Sequence, residues 1–336
     1  MRYAKLFFLV LGVGLLVWVL RQASLDEIWL QVSSVSILGL VGVFCVYALY
    51  FGADVVSWQV TMDSVEMTGR WASRLFVVRM IGEAYNNITP MASMGGEPVK
   101  AWLLKTNYGI GLRDSGASLI LAKTASMFSL VIFVAIAVAI ALSHERLNET
   151  HKLMAGIGLV WLIFNVIVFF LMQHLKLSTF AATRLGRTKL GARLGRLVAG
   201  MHGIDEQFAR FYQDHRKRLW LSMFYAMLNW LLGVAELFLI LSLIGHPVSW
   251  LDAWVIEATM QLVRTAAFFI PAGIGAQEGA LMFACGAIAG SPSSGIAAAL
   301  VRRFRELIWI ALSLALAATF HVTPGLVAKK PTSPDG

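Results

Sequence analysis

Charge is what this sequence has least of. Asp, Glu, Lys and Arg make up 14% of its 336 residues, where an ordinary soluble domain carries about 25%. So few polar side chains could not cover a surface in water, which excludes a soluble enzyme, a nucleic-acid module and a disordered tail. Cysteine is scarce too. Cys45 and Cys285 each lie inside an apolar run, which argues against a disulfide framework or a thiolate metal site. The seven histidines are scattered and form no HExxH or HxxH pair, so neither a metal nor another cofactor is expected. There is no Walker A sequence, so no use of ATP is expected.

What is abundant is apolar: 58% of the chain, with a mean hydropathy of +0.71. The solvent of such a chain is mostly lipid, and its length is read as a count of spans. The net charge of +9 fits the excess of Lys and Arg in cytoplasmic loops of membrane proteins better than it fits nucleic acid. Apolar runs cover residues 6–20, 37–53, 117–142, 153–172, 219–244 and 297–322. The first is short, and its flanking Lys5 and Arg21 can snorkel to lengthen it. A signal peptide is the alternative, but no small-x-small cleavage site follows, so it reads as an uncleaved helix. Two further segments, about 71–112 and 250–290, are apolar but broken by Pro and Gly.

The segment 173–218 differs in kind, with ten Lys and Arg against three acidic residues. That bias places it in the cytoplasm. Leu190, Leu194, Leu197, Met201, Ile204, Phe208 and Phe211 recur at helical spacing there, as in a helix lying in the headgroup layer or packed on the bundle. With this loop inside, both termini fall inside. The segment 71–112 then opens to the cytoplasm and 250–290 to the exterior.

The two broken segments resemble each other. Pro90 to Glu97 and Pro271 to Glu278 both place Glu seven residues after Pro with glycine between, at an offset of 181. Ser115–Gly116 through Lys123 matches Ser294–Gly295 through Arg302, and Trp71 matches Trp250, each at an offset of 179. Such matches predict an internal duplication. Its copies begin on opposite sides, so it is an inverted repeat, with halves at about 37–172 and 219–322. Interrupted segments at corresponding positions of inverted halves point to a transport site. Irregular backbone at membrane depth must be buried in protein or line a wet cavity.

Gly95, Gly96, Glu97 and Pro98 read as a helix start, because proline's missing N–H costs nothing in a first turn. Free N–H groups there favour an anion. Lys100, Lys105 and Lys123 follow in that half. Gly273 and Gly275 let the backbone turn in the other half, where Arg264, Arg302, Arg303 and Arg305 supply cations. Such a site suits a phosphate. Glu97 and Glu278 would cap helices, pair with the basic residues or take up protons. Asp54, Arg79, Glu83, Glu236, Glu257 and Glu306 complete the intramembrane charges. Some of these charges could instead form internal ion pairs or sit at headgroup depth, as Arg79, Glu257, Arg305 and Glu306 could.

The stretches PMASMGGEPVKAWLL and SGASLILAK, then PAGIGAQEGAL and LVRRFRELIW, resemble the two signature regions of the lysylphosphatidylglycerol synthase transmembrane-region family. These are flippase-like proteins related to the lipid-flipping half of multiple peptide resistance factor. The resemblance spans about residues 6–322. It implies a polytopic bacterial inner-membrane protein with re-entrant segments that moves lipids between leaflets. The family's site positions correspond to Gly95, Gly96 and Glu97, and to Pro271, Gly273, Gly275 and Glu278. The sequence departs from the pattern where Pro-Ala-Gly replaces Pro-Gly-Gly. The chain ends at Gly336 without the aminoacyl-transferase domain of the resistance factor, so lysylphosphatidylglycerol synthesis is not expected. The stretch GEAYNNITPMASMGGEPVKA is similar to the hopanoid-associated branch.

The expected protein is therefore an all-α integral membrane protein forming one polytopic domain, 1–336, with six full spans and two re-entrant hairpins. Its expected function is lipid translocation, with hopanoids or anionic phospholipids as candidate cargo. The candidate residues are Glu97, Gly95, Gly96, Lys100, Lys123, Arg264, Pro271, Gly273, Gly275, Glu278 and Arg302. Alternatives are a scaffold recruiting partners through 173–218, and a lipid-linked transferase, for which no DxD or H-x4-D sequence is present. The expected partners are membrane lipids, with a second copy of the chain and lipid-biosynthesis proteins as further candidates.

Overall fold

The computed structural model describes residues 14–19, 21, 24–88, 96–143, 148–174, 216–267, 270 and 273–319. The amphipathic segment around 190–211, most of the run at 6–20, Gly95 and Pro271 lie outside these residues. Every regular element among the described residues is helical. In chain order these are α1 (Leu25–Ser33), α2 (Ile37–Val60), α3 (Gly69–Ile88), α4 (Gly96–Tyr108), α5 (Leu112–Leu142), α6 (Glu149–His174), α7 (Arg216–Leu243), α8 (Trp250–Ala266), α9 (Ala276–Ile288) and α10 (Pro292–Thr319).

Helix starts follow local capping chemistry. Ser24, Ser36 and Ser249 accept from the first-turn N–H groups of α1, α2 and α8, and Asp252 returns the bond to Ser249. Among the described residues, four helices are long and apolar enough to cross a membrane: α2, α5, most of α6, and α7. The chain is an all-α membrane protein. Helix α10 has 28 residues, but Arg302, Arg303, Arg305 and Glu306 interrupt its apolar course. Helices α4 and α9 have 13 residues each, so each is ~20 Å long, short of the ~30 Å hydrocarbon layer. Exposed side chains such as Ile157, Val160, Trp161 and Phe164 on α6 face outward, as lipid solvation permits.

Helices α2 and α7 form the most extensive pair. Gly39 lies against Leu243 and Gly42 against Leu239. Asn229 donates to the Tyr50 carbonyl at 2.8 Å, and the Ser57 and Ser222 hydroxyls meet at 3.0 Å. As the α2 number rises the α7 number falls, so the two run antiparallel. Glycine and serine suit this seam, since they let backbones approach and satisfy polar groups where lipid cannot.

Helices α3 and α4 fold back on one another. At their open end the Trp71 and Tyr108 rings lie 5.6 Å apart, with the Arg74 guanidinium over both. At the turn end the Gly96 N–H donates to Asn86 Oδ1 at 2.6 Å. A Cβ on Gly96 would stand 2.0 Å from the Gly82 carbonyl oxygen, so only glycine fits there. Helices α8 and α9 form a second hairpin, and the segments flanking its two ends share a hollow lined by Gly245, Ser249, Asp252, Ile288 and Ala289. Gly273 and Gly275 in the connection have φ of +59° and +80°, the left-handed region that glycine enters freely. Because α2 and α7 are antiparallel, the hairpins that follow them attach at opposite ends of the pair.

Two of the remaining pairings correspond, although the packing of α5 on α7 has no equally extensive counterpart between α10 and α2. Helix α3 packs on α10 as α8 packs on α5, and α4 packs on α5 as α9 packs on α10. Exchanging α2 with α7, α3 with α8, α4 with α9 and α5 with α10 leaves these pairings in place.

Candidate functional site

The intramembrane charges converge on the space between the two hairpins, in two settings. The first is a buried ion-pair network around α10. Arg302 lies 2.8 Å from Glu257 on α8 and 3.5 Å from Glu236 on α7. It also donates to the Gly233 carbonyl at 3.1 Å. Arg305 meets Glu236 at 2.8 Å, and its guanidinium lies 3.5 Å from the centre of the Tyr47 ring. Tyr47 is held by Phe51 and Trp309, which belong to an aromatic cluster joining α2, α3 and α10. Gln261 donates to Glu257 at 2.8 Å. Glu236, Glu257 and Arg305 are all buried. The sequence reading allowed Glu257 and Arg305 to sit at headgroup depth. The structure places both inside the protein, because each finds a partner on a neighbouring helix.

Glu278, at the start of α9, belongs to a separate set of ion pairs with α10. Its carboxylate accepts from the Gly275 N–H at 2.8 Å and from Arg303 at 2.8 Å, and Arg303 also reaches Glu306 at 2.9 Å. The glutamate therefore caps α9 and ties its start to α10. Both expected roles, capping and pairing, fall on this one side chain.

The second setting is open. Arg79 on α3 pairs with Asp54 on α2. Glu97, in the first turn of α4, meets Lys100 one turn later at 2.8 Å. Unlike buried Glu278, Glu97 keeps 42% of its side chain accessible. Lys100 is buried, its stem lying across Gly82. Lys123 on α5 is exposed. Within its electrostatic range lie Glu97, Arg264, Lys100 and Arg79. Arg264, in the last turn of α8, is exposed and stands in the field of the Tyr50 hydroxyl. Neither Lys123 nor Arg264 forms an ion pair with a described residue.

The structure thus brings Glu97, Lys100 and Arg264 within electrostatic reach of Lys123, while Arg302 and Glu278 are engaged in separate ion pairs. Gly96 makes the tight contact at the first hairpin's tip, while Gly273 and Gly275 shape the second. Lys105 stands apart, exposed in the last turn of α4. Sequence reasoning missed Tyr47 and Tyr50, which lie in the apolar run of α2 with nothing to separate them from lipid-facing aromatics. Their three-residue spacing, which puts them on one helix face, was the signal available.

A UPF0104 membrane protein of Methanothermobacter thermautotrophicus (strain ATCC 29096 / DSM 1053 / JCM 10044 / NBRC 100330 / Delta H) is 24% identical over 324 residues, covering 92% of this chain and 89% of the relative. No solved structure matches. The family described as the lysylphosphatidylglycerol synthase TM region matches residues 5–314, and the chain belongs to that family.

Proposed function

We propose that this protein translocates lipids between leaflets, with the polar headgroup passing through the cleft between the two hairpins while the apolar tail stays in the bilayer. The observation that carries the reading is the gathering of ionisable groups from α4, α5 and α8, namely half-exposed Glu97, buried Lys100, and exposed Lys123 and Arg264. Ionisable groups at membrane depth are expensive and mark substrate paths. Membership of a lipid-associated membrane family supports a lipid cargo. The candidates are hopanoids and anionic phospholipids, the membrane is the bacterial inner membrane, and the chain acts as a transporter rather than an enzyme.

The same proposal includes an inverted repeat, with α2–α5 and α7–α10 as its halves and each hairpin re-entering from one face. Antiparallel α2 and α7 support inversion, since a repeat about the membrane normal would make them parallel. The basic 173–218 segment sets both termini in the cytoplasm.

The test is leaflet exchange in proteoliposomes, using a labelled phospholipid and a labelled hopanoid. Wild-type protein is expected to exchange at least one of them, and Glu97→Ala to slow that exchange at least tenfold while still inserting. Absence of exchange of either lipid by folded wild-type protein would overturn the reading.

A further inference from the structure

We infer that the first hairpin is a proton-operated latch, in which protonation of Glu97 releases the Lys100 side chain from the seam between α3 and α4 and lets the hairpin open. The inference rests on the translocation reading for what the opening serves, but its argument is the burial and pairing of these two side chains. The stem of Lys100 fills the space that Gly82 leaves on α3, where an added Cβ would stand 2.5 Å from Lys100 Cγ. Its ammonium meets one carboxylate among the described residues, that of Glu97 at 2.8 Å. The two partners differ in access: the Lys100 side chain is 3% exposed and that of Glu97 is 42% exposed. The buried arginines are held otherwise. Arg302 and Arg303 each meet two carboxylates, and Arg305 meets Glu236, which is itself buried. Glu278, the motif counterpart of Glu97, is buried and accepts from both Arg303 and the Gly275 N–H. Of the two motif glutamates, Glu97 is the one within reach of a proton while it neutralises a buried cation.

A proton from water that adds to the Glu97 carboxylate leaves a neutral acid facing an ammonium. No carboxylate then remains within ion-pair distance of Lys100 among the described residues. A buried charge stripped of its partner is strongly destabilising. Lysine cannot relieve this by losing its own proton in a medium acid enough to protonate a carboxylate. The ammonium therefore leaves for water, carried past half-exposed Glu97 by its flexible stem. Its departure empties the space over Gly82, whose carbonyl oxygen is also the group that Gly96 packs against. The closed hairpin thus holds the carboxylate form and the open hairpin takes the proton, which is the differential affinity a switch needs. The other charged groups acting on the pair are Arg79 and Glu83 on α3 and Lys123 on α5. Arg79 and Lys123 add to the repulsion that an unpaired Lys100 feels, and Glu83 moderates it.

The experiment uses the full chain in detergent, with two readouts. Spin labels at Lys105→Cys on α4 and Trp220→Cys on α7, both exposed positions, report the place of the hairpin in a Cys45→Ala, Cys285→Ala background. Acylation by a water-soluble amine reagent, followed by mass spectrometry, reports the access of Lys100. Wild type should show one label-to-label distance at about pH 8 and gain a second at about pH 4, across the ordinary glutamate range. Glu97→Gln, which mimics the protonated acid, should show the second distance already at about pH 8. Its Lys100 should acylate at least about tenfold faster than in wild type, the mark of a local opening, with Lys105 unchanged. Adding Lys100→Met should restore the single distance at both pH values, because no charge remains to be expelled. Glu149→Gln breaks a pair of the same spacing whose acid is exposed, and it should behave as wild type.

A single distance at both pH values in wild type, or Lys100 acylation unmoved by Glu97→Gln, would overturn the inference. So would a Glu97→Gln, Lys100→Met protein that keeps the wild-type response to pH, since another group would then be taking the proton. Misfolding is separable, because the double variant lacks both charges and should fold with its hairpin closed. Leaflet exchange separates the two proposals. Lipid exchange by wild type whose label distances ignore pH would sink the latch and leave translocation standing. Label distances that switch with pH and are reset by Lys100→Met, in a protein that exchanges no lipid, would do the reverse.

Discussion

The Arg303 guanidinium lies 2.8 Å from the Glu278 carboxylate, which at the same time accepts from the Gly275 N–H. One side chain thus closes the turn of the second hairpin, caps α9 and anchors both to α10. Among the described residues, the corresponding Glu97 of the first hairpin reaches only Lys100, one turn further along its own helix. The second hairpin is tied to the bundle through charge, and the first through close packing.

Glu278→Ala should therefore be more damaging to stability than Glu97→Ala. It removes one carboxylate partner of Arg303 and the acceptor of the Gly275 N–H. Breaking a buried pair costs about 3–5 kcal/mol, whereas a half-exposed pair is worth about 1 kcal/mol or less. Thermal unfolding in detergent, followed by tryptophan fluorescence, checks the order. Equal Tm values for the two variants would contradict it.

Glu236 bridges Arg302 and Arg305, at 3.5 and 2.8 Å. Glu236→Leu leaves Arg305 without its carboxylate and should lose about 3–5 kcal/mol. Adding Arg305→Met should recover part of that loss, because the uncompensated charge goes with it. A double-mutant cycle measures the coupling. Purely additive losses would argue against the pair.

Gly96→Ala places a methyl group 2.0 Å from the Gly82 carbonyl oxygen, and Gly295→Ala places one 2.3 Å from that of Leu281. Both obstacles are backbone and cannot rotate away, so each variant should lose about 1–3 kcal/mol or more. Gly52→Ala, with nothing within 4 Å of its new methyl, should gain up to about 1 kcal/mol from helix propensity. Melting curves of the three variants decide the matter, and a Gly96→Ala protein as stable as wild type would refute the close approach.

Side-specific labelling tests the proposed topology. In a chain carrying Cys45→Ala and Cys285→Ala, Met67→Cys and Gly111→Cys flank the first hairpin, and Pro247→Cys and Ser291→Cys the second. An impermeant maleimide should reach the first two from one face and the last two from the other. If the two positions flanking one hairpin reacted from opposite faces, that hairpin would cross the membrane.

The sequence by itself determined the class of protein and the position of its breaks. Low charge and long apolar runs leave lipid as the only solvent that fits. Gly96 with Pro98, and Gly273 with Gly275, mark helix starts and turns through local backbone chemistry, and the structure starts α4 and α9 at those places. Those features were legible because they depend on neighbours in sequence. The pairing of charges was not. Arg302 with Glu257, Arg305 with Glu236 and Arg303 with Glu278 are set by which helices pack together, and residues 25 to 69 positions apart have no local signature. Glu97 and Glu278 occupy matching motifs, yet one is half-exposed and the other is buried. That difference comes from what α5 and α10 present to each tip. Only the tertiary structure decided which cations are paired with which carboxylates, because an ion pair is a fact of distance in space.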